Sequence, residues 1–213
     1  FIHAALEEIQ SALLKMGSSL EVFYATPPEV FAKLFSTYSI EKVFTNHDYE
    51  PYALQRDISI DLLLKTKAAS LHTFKDQVIF EKDEVIKDDG KPYTVFTPYS
   101  RKWKASLSDF HLKKYPTEKY FKNFYRQPAQ KIPSLMQIGF TNNEESFPSK
   151  ALKEELVTKY RDQRNFPAIA GTSKLGIHLR FGTISIRQLA QQCIGLSETF
   201  LNELIWRDFY QMI

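Results

Sequence analysis

Two stretches decide the reading of this 213-residue chain: Tyr160–Ser185, YRDQRNFPAIAGTSKLGIHLRFGTIS, and Phe200–Tyr210, FLNELIWRDFY. Both mix rings, cations and hydroxyls more densely than a plain core helix requires. Gly171-Thr172-Ser173-Lys174 sets a flexible residue, two hydroxyls and a cation in a row. Glycine lets a backbone approach a ligand closely. The free N–H groups of a helix starting nearby favour an anion such as a phosphate. Pro167 and Gly171 end the helix suggested by Leu156–Tyr160, and Ser185 is an N-cap for a helix over roughly 184–196. The hydroxyl run therefore lies between two helices, open to a polar ligand. The competing reading is a capping loop with one surface lysine, because short Gly/Ser/Thr loops are common. A Walker loop is excluded, since G-x-x-x-x-G-K-[ST] is absent from the run.

The second stretch has neither proline nor glycine, so Phe200–Met212 reads as helix. Leu201, Leu204, Ile205 and Phe209 supply its apolar stripe. Glu203, Trp206, Arg207 and Tyr210 fall near one another on a second face. A carboxylate, an indole and a guanidinium make a poor core stripe. Trp206 suits stacking on a flat ligand or base, and Arg207 suits a phosphate. The competing reading is an amphipathic helix with a Glu203–Arg207 pair at i, i+4.

Outward from these stretches, the first 80 residues alternate helix and strand. Ile2–Met16 is an amphipathic helix with Ile2, Leu6, Ile9 and Leu13 on one stripe and Gly17 at its C-terminus. Leu20–Ala25 reads as a buried strand. Thr26-Pro27-Pro28-Glu29 starts a helix reaching about Tyr38. Glu41–Thr45 is the next strand, 50–69 a helix, and Leu71–Phe74 a short strand. This alternation implies an α/β fold, a doubly wound parallel sheet with helices on both faces, whose opening strand should precede Phe1. Asn46–Tyr52 then occupies the crevice at the carboxyl end of a strand, where ligands of such sheets bind. An antenna chromophore would sit there; the alternative is a loop held by its own capping side chains. From Val78 to Pro148 the periodicity fades and prolines recur, which marks an inter-domain connector. The expected domains are 1–80 (α/β), 81–148 (connector) and 149–213 (the start of an all-α domain).

The composition, 43% hydrophobic and 25% charged, is that of a globular protein, and no apolar run approaches a membrane span. The single cysteine, Cys193, excludes an internal disulfide and suits a reducing cytoplasm. The net charge of +3 is uneven. Residues 1–80 carry 7 Lys+Arg against 10 Asp+Glu, whereas 81–150 carry 13 against 9. Between Arg101 and Lys131 nine cations and several rings face only Asp109 and Glu118. This is a nucleic-acid-like composition, though a solvated linker face is the commoner origin.

Four blocks, in order, resemble the DNA photolyase/cryptochrome family. They are Asn46-His47-Asp48-Tyr49-Glu50-Pro51-Tyr52-Ala53…Arg56-Asp57; Gly90-Lys91-Pro92-Tyr93…Val95-Phe96-Thr97-Pro98-Tyr99…Trp103; Tyr160…Arg164…Pro167…Gly171–Leu175…His178-Leu179…Phe181-Gly182…Ile184-Ser185…Arg187; and Phe200…Asn202–Tyr210. The resemblance is strongest to class I cyclobutane pyrimidine dimer photolyases, with the chain matching an internal fragment. It implies an FAD-binding helical domain beginning near residue 149. Tyr160, Thr172, Ser173, Lys174, Leu175, Gly176 and Phe200 match positions that contact FAD. Arg164 matches a DNA phosphate contact. Glu203 and Trp206 match the catalytic residues that hold a flipped pyrimidine dimer, with Arg207 and Tyr210 beside them on the DNA side. The chain departs from the pattern at Gly176, where serine is usual, at Lys174, where arginine is commoner, and at Asn165, where aspartate is commoner. The residue types after Pro51 do not match folate-binding members, so no folate is assigned.

The implied activity is light-driven repair of UV-damaged DNA by a monomeric, cytoplasmic deoxyribodipyrimidine photo-lyase using reduced FAD. The implied alternative is a cryptochrome-type blue-light photoreceptor on the same scaffold. Glutamate at 203 favours repair of cyclobutane dimers, since members acting on the (6-4) lesion more often have glutamine there. Outside the family, an adenine-nucleotide hydrolase would need a phosphate loop after a first strand, and a flavin-free interaction module is the remaining reading. Because the helical domain should continue past Ile213, these residues alone are expected to bind FAD weakly and to be inactive.

Overall fold

The computed structural model describes residues 1–141 and 146–213; the remaining four, within the segment read as connector, lie outside the described residues. The chain forms two compact units. The first comprises Phe1–Thr45, Glu50–His72 and Tyr115–Phe147; the second comprises Asn46–Tyr49, Thr73–Lys114 and Pro148–Ile213.

In the first unit, helix α1 spans Ile2–Lys15. Gly17, at φ 75°, closes it in a left-handed turn. There the Gly17 N–H donates to Leu14 and the Ser18 N–H to Leu13. Helix α2, Pro27–Thr37, opens with prolines in its first turn and a capping box. In that box the Thr26 N–H donates to Glu29 at 2.9 Å. Strand β1 (Lys42–Asn46), helix α3 (Pro51–Thr66) and strand β2 (Ser70–Phe74) follow, the last residue of β1 and the last two of β2 being counted with the second unit. The two strands pair in parallel: the Ser70 N–H donates to Glu41 and the His47 N–H to Phe74, at 3.0 and 2.8 Å. Ile60, Leu64 and Ala69 form the small core here, packed by Phe31, Phe35, Val43 and Leu71.

Two expectations are corrected. The doubly wound sheet reduces to these two strands among the described residues, and Leu20–Ala25 is not a strand. Around its start, side chains take the place of a ladder. The Leu20 N–H donates to the Gln10 amide oxygen at 2.7 Å, and the Gln127 amide donates to the Ser19 carbonyl at 2.8 Å. Backbone groups satisfied in this way no longer call for a neighbouring strand. The same knot explains why Gln10, rather than Ile2 or Ile9, is the buried residue of α1. Its amide also donates to Ser19 Oγ at 2.8 Å and to the Gln130 carbonyl at 2.7 Å.

The second unit is mainly helical, with α4 (Phe96–Ser106), α5 (Asp109–Leu112), α6 (Glu154–Gln163), α7 (Gly176–Arg180), α8 (Ile186–Cys193) and α9 (Glu198–Met212). Its core gathers Tyr99 and Trp103 of α4, Val157 of α6, Leu189 and Cys193 of α8, and Phe200, Leu204, Ile205 and Phe209 of α9. Ser185 caps α8 and Ser197 caps α9, each hydroxyl accepting an N–H three residues on. The loop His47–Tyr49 is held by its own side chains. Glu81 accepts from Tyr49 Oη at 2.6 Å and contacts His47 Nδ1 at 2.8 Å, while the Gln77 amide donates to the His47 carbonyl at 3.1 Å. Burial pushes the Glu81 carboxyl up, but the bonds from Tyr49 and His47 outweigh it and leave the group below its ordinary range.

Candidate functional site

Helix α9 builds the site. Leu201, Leu204, Ile205 and Phe209 are buried, which orients the helix and leaves Glu203 and Trp206 half-buried at its other side, with Tyr210 exposed. The Trp206 indole is sandwiched. The Phe96 ring stacks on it at 3.7 Å with an interplanar angle of 5°, and the Tyr210 ring stacks at 5.3 Å and 23°. Stacked rings of this kind hold the indole in one orientation. Phe96, on α4, had no assigned role in the sequence reading, although it falls in one of the quoted blocks.

Glu203 is ion-paired to Arg164, at the end of α6. The guanidinium also lies over the Tyr160 ring, 5.6 Å from its centroid. Tyr160 in turn meets Phe200 edge-on at 4.8 Å. The bond to Glu203 holds the Arg164 pKa above its ordinary value, and burial followed by the Glu203 charge raises that of Tyr160. Arg164, Glu203, Trp206 and Tyr210 thus line the partly exposed side of the second unit.

Arg207 lies elsewhere. Its guanidinium donates to the carbonyls of Gln77 and, at 3.4 Å, Leu179, and burial lowers its pKa. It pairs with backbone, not with Glu203. Asp208, next to it, is 1% exposed. One of its oxygens accepts from Ile79 N–H, Phe80 N–H and Trp103 Nε1 at 3.1, 3.3 and 3.0 Å. The sequence reading gave Asp208 no role. The available signal was its position: spaced as Leu201, Leu204, Ile205 and Phe209 are, it is the one carboxylate within the apolar stripe.

The hydroxyl run borders a cleft of about 470 Å³, lined by Thr172, Ser173 and Lys174 together with Lys153, Glu155, Lys159 and Gln163 of the α6 side, where Lys159 is paired with Glu155 at 2.7 Å. Thr172, Ser173, Lys174 and Lys153 offer donors of the kind a pyrophosphate accepts, while Glu155 neutralises Lys159. Lys174 holds φ 53°, a left-handed backbone that a β-carbon resists, and the Leu175 N–H donates to Ser173 Oγ at 3.4 Å. Gly171 makes its close approach to protein: a β-carbon there would meet the backbone of Gln163 at 2.8 Å. Leu175 and Phe200 are buried in the core, 2% and 4% exposed, while Gly176 opens α7 at the surface.

Comparison with known proteins gives the family of the chain. The DNA photolyase family profile matches residues 1–119, and the chain belongs to that family. It is 30% identical over 99% of its length to the deoxyribodipyrimidine photo-lyase of Synechococcus sp. (strain ATCC 27144 / PCC 6301 / SAUG 1402/1), covering 49% of that protein. It is 27% identical to the Escherichia coli (strain K12) protein of the same name, covering 48% of it. The fold is similar to a class III photolyase from Agrobacterium tumefaciens, with a TM-score of 0.76 at 20% identity, the match covering 99% of this chain and 48% of that one. It is also similar to an archaeal photolyase from Sulfolobus tokodaii that carries two FAD molecules, with a TM-score of 0.66 at 22% identity over 99% of this chain and 46% of that one. The chain spans about half the length of the curated relatives it matches. Among the described residues no helix is long and apolar enough to cross a membrane.

Proposed function

We propose that this chain contributes the phosphate side of an FAD site and the lesion-holding face of a photolyase that repairs cyclobutane pyrimidine dimers in UV-damaged DNA. The observation that carries the reading is the placement of Glu203 and Trp206 on one exposed side of α9 with Arg164 beside them. The relatives named deoxyribodipyrimidine photo-lyase support repair over the photoreceptor alternative. The Thr172, Ser173 and Lys174 donors fit the pyrophosphate of FAD, Glu155 being already paired with Lys159, and Tyr160 lies beside the Arg164–Glu203 pair. FAD, when bound and reduced, supplies the light-driven electron that splits the dimer.

The chain's own residues do the rest. A stacked dimer cannot reach a buried cofactor, so it is flipped out of the duplex. Trp206, already fixed between Phe96 and Tyr210, has its ring faces covered and offers its free edge to the flipped bases. Arg164 exchanges part of its pairing with Glu203 for a DNA phosphate, and this frees the carboxyl to hydrogen-bond a base. The test is repair of a thymine-dimer oligonucleotide by the full-length, flavin-loaded protein in blue light and in the dark. Light-dependent loss of the dimer is expected. No repair with flavin bound and reduced would transfer the reading to the photoreceptor class.

A further inference from the structure

The cleft beside the hydroxyl run has a second wall, the segment 148–153, which brings Ser149 and Lys153 opposite Thr172, Ser173 and Lys174. This segment contains no helix or strand, so no backbone ladder fixes its position. Leu152 packs against the core, and the Pro148 carbonyl meets His178 Nε2 at 2.7 Å. His178 lies on α7, which opens two residues after Lys174 and so continues directly from the first wall. The imidazole is 2% exposed, and its Nδ1 meets the Thr183 hydroxyl at 2.7 Å. A carbonyl only accepts, so in the neutral ring Nε2–H donates to Pro148 and Nδ1 accepts from Thr183. The Thr183 N–H in turn donates to the His178 carbonyl at 3.0 Å, which sets the hydroxyl against the ring. A buried ring held at both nitrogens keeps one orientation, and with it one place for the Pro148 carbonyl.

We propose that His178 is a positioning residue for the FAD pyrophosphate: through the Pro148 carbonyl it holds the wall carrying Ser149 and Lys153 at a fixed spacing from the wall carrying Thr172, Ser173 and Lys174. The inference rests on the FAD reading above and adds to it a residue that does not touch the ligand. His178 itself does not line the cleft, so its effect reaches the ligand only through the segment it holds. Donors divided between two chain segments bind an anion well when their spacing is set beforehand, because ordering a loose segment on binding costs affinity.

The test is the dissociation constant of the full-length apoprotein for FAD, read in the dark from flavin fluorescence. His178→Leu, which cannot donate to Pro148, is expected to weaken FAD about tenfold. His178→Gln, whose amide can donate to the same carbonyl, should bring binding back to within about threefold of native. Lys153→Ala alone should weaken FAD about tenfold, but by less than about threefold when added to His178→Leu, because its wall is then already loose. A residue that merely stabilised the fold would leave the two losses to multiply. Native affinity in His178→Leu, no recovery in His178→Gln, or a full second loss from Lys153→Ala would overturn the inference and leave the FAD reading standing. A native protein that binds no FAD would overturn that reading instead. If His178→Leu does not fold, Thr183→Val, which removes only the hydroxyl from Nδ1, carries the test. It is expected to weaken FAD about threefold, and native affinity there would overturn the inference.

Discussion

Arg164, at the end of α6, and Asp208, on α9, are both ionisable, yet their energetics differ because their exposure differs. The Arg164–Glu203 pair is about one-third exposed on each side, so solvent screens it. Arg164→Ala should change stability by less than about 1 kcal/mol in urea denaturation. It should weaken DNA binding and flatten the salt dependence of log K by about one unit. Asp208 is the opposite case. Asp208→Ala leaves two backbone N–H groups and an indole N–H buried without an acceptor. It should cost at least about 3 kcal/mol by the same measurement. The sign of its pH dependence follows from a folded-state pKa of about 6 against an ordinary 3.8. Between those values only the folded chain holds the proton. The stability this group contributes in acid is therefore lost as pH rises to about 6, and is level beyond. The stability difference between the native chain and Asp208→Asn, measured at several pH values, should follow that course.

At the scale of the element, the turn from α6 to α7 depends on a close backbone approach. A β-carbon at Gly171 would meet Gln163 backbone atoms, which cannot move aside as a side-chain tip can. Gly171→Ala should destabilise the second unit by about 1–3 kcal/mol, read as a lower urea midpoint with an unchanged slope. The sequence alone placed a functional glycine here and assigned the closeness to a ligand, whereas the structure assigns it to α6. Helix α9 was legible because its apolar spacing is unbroken by glycine or proline, and α8 because Ser185 is a strong capping residue. Leu20–Ala25 misled because apolar β-formers record burial, and pairing depends on which neighbour is present. Here Gln10 and Gln127, distant in sequence, meet the adjoining backbone groups at Ser19 and Leu20. Asp208 was illegible in role because its partners come from Ile79, Phe80 and Trp103, more than a hundred residues away in the chain.

At the scale of the whole molecule, the chain pairs a small α/β unit with a helical unit. The features proposed to bear on function, the cleft beside Thr172–Lys174 and the Trp206 side of α9, both belong to the helical one. The account's central claim is that this side of α9 recognises a flipped dimer. The most direct measurement is the affinity of the full-length protein, in the dark, for a duplex containing one thymine dimer and for its undamaged counterpart, with and without Trp206→Ala. The account predicts that the native protein prefers the damaged duplex, and that Trp206→Ala loses about 0.5–1.5 kcal/mol of that preference while binding undamaged DNA as before. Equal loss on both duplexes, or an undiminished preference in the variant, would contradict it.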